Sequence, residues 1–121
     1  MEYYREHLLA NIAHGTDKPN IAKWFSNKKL ISSFNTKNWS SKFHVWRMDW
    51  SEKAIKLYVD DFLMNEVPLD SLHNPDGSNP FMQPQYILLN MAIGGDNGGS
   101  PDNTVFPRKY EIDYVRVYQR E

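Results

Sequence analysis

Few residues in this 121-residue chain have the type and spacing to do chemistry. There is no cysteine, so disulfides, thiolate metal sites and a thiol nucleophile are all excluded. His7, His44 and His73 share no zinc-like spacing with one another or with a carboxylate cluster, and read as structural or exposed. What remains suits recognition of a polyhydroxylated ligand. Four tryptophans offer flat faces that stack on pyranose rings, although buried tryptophan is more often core. Trp46 and Trp50 lie on one face of an alternating segment and read mainly as packing. Trp24 stands in a polar stretch, Lys23-Trp24-Phe25-Ser26-Asn27-Lys28, without an alternating partner, as a cleft platform or as the anchor of a long loop. Gln83 and Asn90 are amides beside or within an apolar run, and a buried amide needs a partner, either backbone or ligand. Gly94-Gly95 and Gly98-Gly99 are not a phosphate loop, because no helical pattern and no Lys-Ser/Thr follows; they read as a cleft rim.

The elements that position these residues read as strands. In Phe43–Trp50, Trp46, Met48 and Trp50 share one face and Phe43 and Val45 the other. Ala54–Val59 alternates, with Ile55, Leu57 and Val59 apolar, and Phe62–Val67 reads as a third, shorter strand after the Asp60-Asp61 turn. Pro68 to Pro84 is a loop with a turn at Asn74-Pro75-Asp76-Gly77, and Asp70-Ser71-Leu72 is compatible with one helical turn. Gln85–Ile93 is nearly all apolar, the mark of a strand covered on both faces, and Lys109–Gln119 alternates again. Tyr4, Leu8 and Ile12 recur at helical spacing before Gly15, so local propensity favours a helix there.

Length and composition bound the answer. A chain of 121 residues is one domain, residues 1–121, and a domain of this size hides roughly two-thirds of the surface its unfolded chain exposes. Fourteen Lys and Arg against fifteen Asp and Glu leave a net charge of −1, so there is no basic excess to neutralise phosphates and nucleic acid is not an expected partner. No apolar run approaches the ~18–20 residues of a membrane span, and no signal-peptide pattern follows Met1, so no membrane partner is expected. Aromatic residues at 14% suit an all-β core or a sugar-stacking surface.

Taken in order, Phe43-His44-Val45-Trp46-Arg47-Met48-Asp49-Trp50, then Leu57-Tyr58-Val59-Asp60, Gln83-Pro84-Gln85-Tyr86-Ile87-Leu88-Leu89-Asn90-Met91-Ala92-Ile93-Gly94-Gly95, Phe106-Pro107 and Ile112-Asp113-Tyr114-Val115-Arg116-Val117-Tyr118 resemble glycoside hydrolase family 16. The resemblance spans the whole chain but only the C-terminal half of that family's domain. It implies an all-β antiparallel β-sandwich, the jelly roll of concanavalin A-like type. Met1-Glu2-Tyr3-Tyr4 is similar to the end of the family's Glu-x-Asp-x-x-Glu motif, which makes Glu2 the general acid/base; the nucleophile and the intervening Asp would precede residue 1. Two carboxyls of a retaining glycosidase stand about 5–5.5 Å apart, which i and i+2 positions on a strand, with one bulged residue, provide. The same match replaces the helix with two strands, the second running from Leu8 to His14, and makes His14 a candidate assisting residue that bonds the catalytic carboxyl or a sugar hydroxyl. The alternative for His14 is a strand-end ring paired to a backbone carbonyl. Gln83, Asn90 and Trp24 become candidate substrate-binding residues. Asp113 matches the aspartate that binds a structural calcium in many members.

The reading is therefore the C-terminal part of a retaining endo-hydrolase of a β-linked polysaccharide such as laminarin or mixed-linkage glucan. It requires no cofactor, Asp113 being either a calcium ligand of the full-length parent or a partly exposed carboxylate paired to a neighbouring Lys or Arg, and it is inactive without the missing N-terminal half. The family's polysaccharides lie outside the cell, which implies a secreted, periplasmic or surface-bound parent. The alternatives are a non-catalytic carbohydrate-binding sandwich and a fragment without a function of its own.

Overall fold

The computed structural model describes residues 6–95 and 99–119. Its regular elements lie in the N-terminal of two compact units, which runs to Ile87; the other begins at Leu88. Among the described residues five strands form two antiparallel sheets, as expected for a sandwich. Sheet A pairs β1 (His7–Gly15) with β2 (Ala22–Leu30), and sheet B has the order β3 (Trp46–Trp50), β4 (Ala54–Val59), β5 (Phe62–Pro68).

β1 is a strand although its apolar spacing favours a helix. Ladder pairing with β2 in the register Ala10↔Asn27 and Ile12↔Phe25 puts Ala10 and Ile12 into the core, and tertiary burial outweighs local propensity. β2 is the strand that sequence patterning does not reveal, because Lys23, Ser26, Asn27, Lys28 and Lys29 mask any apolar alternation. Thr16 closes the connection between them, its hydroxyl donating to the Ile21 carbonyl at 2.7 Å.

The sheets enclose two apolar clusters. One joins Ile12 to Ile55, Val67, Leu69 and Leu72, and the other joins Ala10 to Trp39, Val59 and Met64. Burying a side chain such as Leu69 or Val59 completely stabilises by roughly 1.5–3 kcal/mol. The loop after β5 helps to close the core: Leu72 N–H donates to the Leu69 carbonyl in a single turn, and the Asn79 amide ties back to the same carbonyl at 2.7 Å. The turn expected at Asn74 forms, with Gly77 at φ +81° donating to Asn74.

Between β4 and β5 the register slips. Leu57 faces Asn65 and Tyr58 faces Leu63, so Met64 has no residue opposite it. This bulge turns Met64 into the core while Asn65, its neighbour, also faces sheet A. The Asn65 amide donates to the carbonyls of Ala10 (2.8 Å) and Phe25 (3.0 Å), and the Asn27 amide donates back to the carbonyl of Met64 (2.7 Å).

Two expected strands are not found. Residues 85–93 and 109–119 enter no sheet among the described residues, and Tyr86 is 83% exposed. The apolar pattern is present, but a strand is fixed by a hydrogen-bonded neighbour, and neither stretch has one here. In the second unit, Gly94, Gly95 and Gly99 take positive φ, Gly99 N–H donates to Gly95, and Ser100 bonds the Asp102 carboxylate.

Because Asn65 serves two carbonyls across the sheet interface, Asn65→Ala is expected to lower unfolding free energy by about 1–3 kcal/mol. Urea denaturation of the two chains measures it; an unchanged midpoint would show that the amide does not tie the sheets.

Candidate functional site

His14 lies near the end of β1, opposite Lys23. Its ring stacks on Phe25, with centroids 6.0 Å apart and planes 20° from parallel, on the inner face that also carries Ile12. Both ring nitrogens are enclosed and have no hydrogen-bond partner among the described residues. The backbone carbonyl that a strand-end histidine would normally find is not bonded. An enclosed polar ring left unsatisfied costs about 1–3 kcal/mol, so the site favours any group that brings a donor or acceptor to it.

Trp24 is 62% exposed on the opposite face of the same sheet. It pairs with Ala13, and successive strand residues alternate. The sheet therefore separates the stacking candidate from the imidazole. Glu2 lies outside the described residues. Gln83 and Asn90 are exposed, so the burial that would oblige their amides to find a ligand is absent. Asp113 is exposed as well. No cluster of three His, Cys, Asp or Glu able to hold a metal occurs among the described residues, and calcium takes six to eight oxygens. A lone carboxylate supplies at most two of them, the rest being carbonyl and water oxygens.

A groove of about 280 Å³ opens between β1 and β3. Leu9, Ala10 and Asn11 line one side, Trp46 and Met48 the other, with Leu57 and Met64 at its base. None of its lining residues is acidic. Chemistry on a glycosidic bond would need carboxylates carried in from elsewhere.

His44 is where the structure adds most to the sequence reading. Its Nδ1 lies 2.9 Å from Asp60 Oδ2 and its Nε2 2.8 Å from the Trp39 carbonyl. Carboxylate and carbonyl only accept, so a ring that satisfies both donates from both nitrogens and is the imidazolium. The ring stacks on the Trp39 indole at 3.7 Å, and Asp60 Oδ1 accepts from Val45 N–H. Asp60 occupies the β4–β5 turn at φ +51°, so the ion pair fastens that turn to the entry of β3. Burial alone would lower the His44 pKa, but the Trp39 carbonyl and the Asp60 carboxylate together raise it above 6.5. Reciprocally, the hydrogen bond from His44 holds Asp60 below 3.8 despite opposing desolvation. The pairing of Asp60 with His44 could have been suspected from the sequence only by fixing the strand register first.

The sequence model of Glycosyl hydrolases family 16 matches residues 13–116, and the chain belongs to that family. It is 31% identical to a beta-glucanase of Rhodothermus marinus, over 94% of this chain and 42% of that protein. A glucan endo-1,3-beta-glucosidase A1 of Niallia circulans is 34% identical over 68% of the chain and 13% of its own length. A beta-1,3-glucan-binding protein of Penaeus monodon is 38% identical over 65% of the chain and 26% of its own length. The chain thus spans less than half the length of these curated relatives. No solved structure matches it.

The two pKa displacements set a pH window. The raised His44 value stabilises the fold fully below about pH 6.5, and this contribution is lost as pH rises through the folded-state value. The lowered Asp60 value stabilises it above about pH 3.8, and this is lost as pH falls through the folded-state value. Melting temperature is therefore expected to fall from about pH 6 to pH 8.5, and Asp60→Asn is expected to flatten most of that decline. Scanning calorimetry across this range reads it directly; an equally steep decline in the variant would remove the ion pair as its cause.

Proposed function

We propose that this polypeptide is the acid/base-bearing C-terminal part of a retaining endo-hydrolase of a β-linked glucan, of the laminarin or mixed-linkage type. The observation that carries the reading is family membership across residues 13–116, alongside relatives named as a beta-glucanase and a glucan endo-1,3-beta-glucosidase. In this reading Glu2 protonates the leaving glycosidic oxygen while a second carboxylate attacks the anomeric carbon. Glu2, now a carboxylate, then activates the water that releases the glycosyl-enzyme. That second carboxylate belongs to the part of the motif that would precede residue 1, so the partner this chain requires is the remainder of a family domain. The unpartnered ring of His14 supports its expected role, a hydrogen bond to the acid/base carboxyl or to a sugar hydroxyl. In this reading the whole protein works where polymeric glucans lie, secreted, in the periplasm or on the cell surface.

A second reading is non-catalytic glucan binding. It is favoured by the Penaeus monodon relative, whose name records binding rather than hydrolysis.

The purified chain is expected to release no reducing sugar from laminarin. Joined to the N-terminal part of a family-16 domain it is expected to hydrolyse laminarin with retention of the anomeric configuration. Glu2→Gln should cut that turnover by ~10²–10⁴-fold, the usual worth of general acid/base catalysis. Reducing-sugar assay and proton NMR of the first product follow both. Turnover by the chain alone, or a fully active Glu2→Gln protein, would sink the assignment, and laminarin retention without turnover in the joined protein would favour the binding reading.

A further inference from the structure

Between β2 and β3 the chain runs through two short helical turns, Ile31–Phe34 and Trp39–Ser41, and residues 32–44 pair with no strand among the described residues. Of these residues Trp39 alone is buried. Its indole, 7% exposed, closes the apolar cluster of Ala10, Val59 and Met64. It stacks on the Phe34 ring at 5.3 Å and on the His44 ring at 3.7 Å, while β3 offers it only the edge of Trp46. The backbone bonds printed by the stretch are local: Asn35 N–H donates to Ser32, Ser41 N–H to Asn38 and Lys42 N–H to Trp39. Asn35 and Asn38 hold φ +50° and +58°, left-handed conformations that surrounding contacts must maintain. A segment bonded so lightly to the rest opens easily unless something fastens it.

The fastener is the His44 ring, and its two bonds are unequal. Nδ1 faces the charged Asp60 carboxylate, whereas Nε2 faces the neutral Trp39 carbonyl at 2.8 Å. A bond to an ionised acceptor is roughly twice as strong as one between neutral groups. A neutral imidazole carries one N–H, and the carboxylate claims it. Nε2 then presents a lone pair to the carbonyl oxygen, and two acceptors at hydrogen-bonding distance repel. The carbonyl is free to leave, because Lys42 N–H already satisfies it at 3.1 Å. β3 stays anchored: Val45 N–H donates to Asp60 Oδ1, and Asp60 N–H donates to the Val45 carbonyl. The charges acting on the ring are Asp60 of the β4–β5 turn, which favours the proton, and Lys42 of the approach to β3, which opposes it. The Trp39–Ser41 turn brings no titratable side chain, and Lys29 of β2 is engaged with the Phe34 and Phe62 rings.

We infer that the proton on His44 Nε2 is a latch on Trp39: with it the indole is held in the core, and without it residues 35–43 swing free while β3, β4 and β5 stay paired. The two acceptors raise the His44 pKa, so the latch is closed in mildly acidic water and opens as pH rises through the folded-state value. Opening wets the cluster of Ala10, Val59 and Met64. The pH-dependent loss of stability is thereby concentrated in one segment. The device is independent of the hydrolase reading.

The test uses the full 121-residue chain between pH 6 and pH 8.5. Nitrogen NMR of the His44 ring should show Nε2, and not Nδ1, giving up its proton. Trp24, Trp46 and Trp50 are 62%, 59% and 41% exposed, so Trp39 alone supplies tryptophan emission sheltered from acrylamide at pH 6. That sheltered component should vanish at pH 8.5. Amide exchange, corrected for its intrinsic pH dependence, should quicken at least tenfold at Lys42 while Val45 and Asp60 keep their protection. In His44→Asn the amide nitrogen stands where Nδ1 stood and reaches only Asp60, so Trp39 should be accessible at both pH values. In His44→Gln it stands where Nε2 stood and reaches the Trp39 carbonyl, so Trp39 should be sheltered at both. Proton loss from Nδ1, a Trp39 sheltered throughout in the unaltered chain, or equal loss of protection at Lys42, Val45 and Asp60 would each overturn the inference. So would a pH-dependent Trp39 in His44→Gln, which would assign the release to another group. The measurements on the unaltered chain decide the matter even where a variant does not fold.

Discussion

One extra residue in β5 holds the sandwich together. The bulge leaves Met64 with no residue opposite it in β4, and the Asn27 amide donates to its carbonyl from the other sheet. It also lets Asn65 face inward, where a single amide satisfies the second lone pairs of two sheet A carbonyls. Buried polar groups are tolerated only when bonded, so these reciprocal contacts fix the spacing of the sheets as well as their attraction. The placement of Ile12 and Ala10 over Ile55, Val59 and Val67 follows from that fastening.

The fastening lies on one side, where β5 meets β1 and β2, while β3 remains uncovered. The molecule is thus closed by polar bonds along one margin and left apolar along the other. The imidazolium of His44 works on the uncovered strand, tying its entry to Asp60 and laying the Trp39 ring beneath it. This accounts for β3 keeping its pairing to β4 although its inner-face side chains stay largely exposed, with Trp39 meeting only Trp46 edge to face.

How much of this was legible depended on which force made each element. β4 and β5 could be read because their alternation is itself the cause of their burial, as the Ile55-Leu57-Val59 row shows, and β3 alternates as clearly although all its residues are exposed. β2 could not, since Lys23 to Lys29 carry few apolar side chains and become a strand only by pairing with β1. Residues 85–93 and 109–119 show the converse: their apolar pattern is clear, but pattern without a neighbour forms no ladder. The bulge and its amides were invisible, because Asn65 within Phe62–Val67 looks like an ordinary polar position. Of the candidate site, the orphaned setting of His14 is a product of the fold, while sequence alone named the residue; Trp24 was named with it, yet the register of β1 and β2 puts the two on opposite faces.

The uncovered face of β3 has a thermodynamic signature. Unfolding raises heat capacity and responds to denaturant in proportion to the apolar surface newly given to water. Trp46, Met48, Trp50 and the apolar stretch from Tyr86 to Met91 are already wet in the folded chain and add little to either quantity. The heat-capacity increment should therefore fall below the ~12–15 cal/mol/K per residue of ordinary domains. Its stability curve would be correspondingly flat, so that warming and cooling both change the balance only gradually.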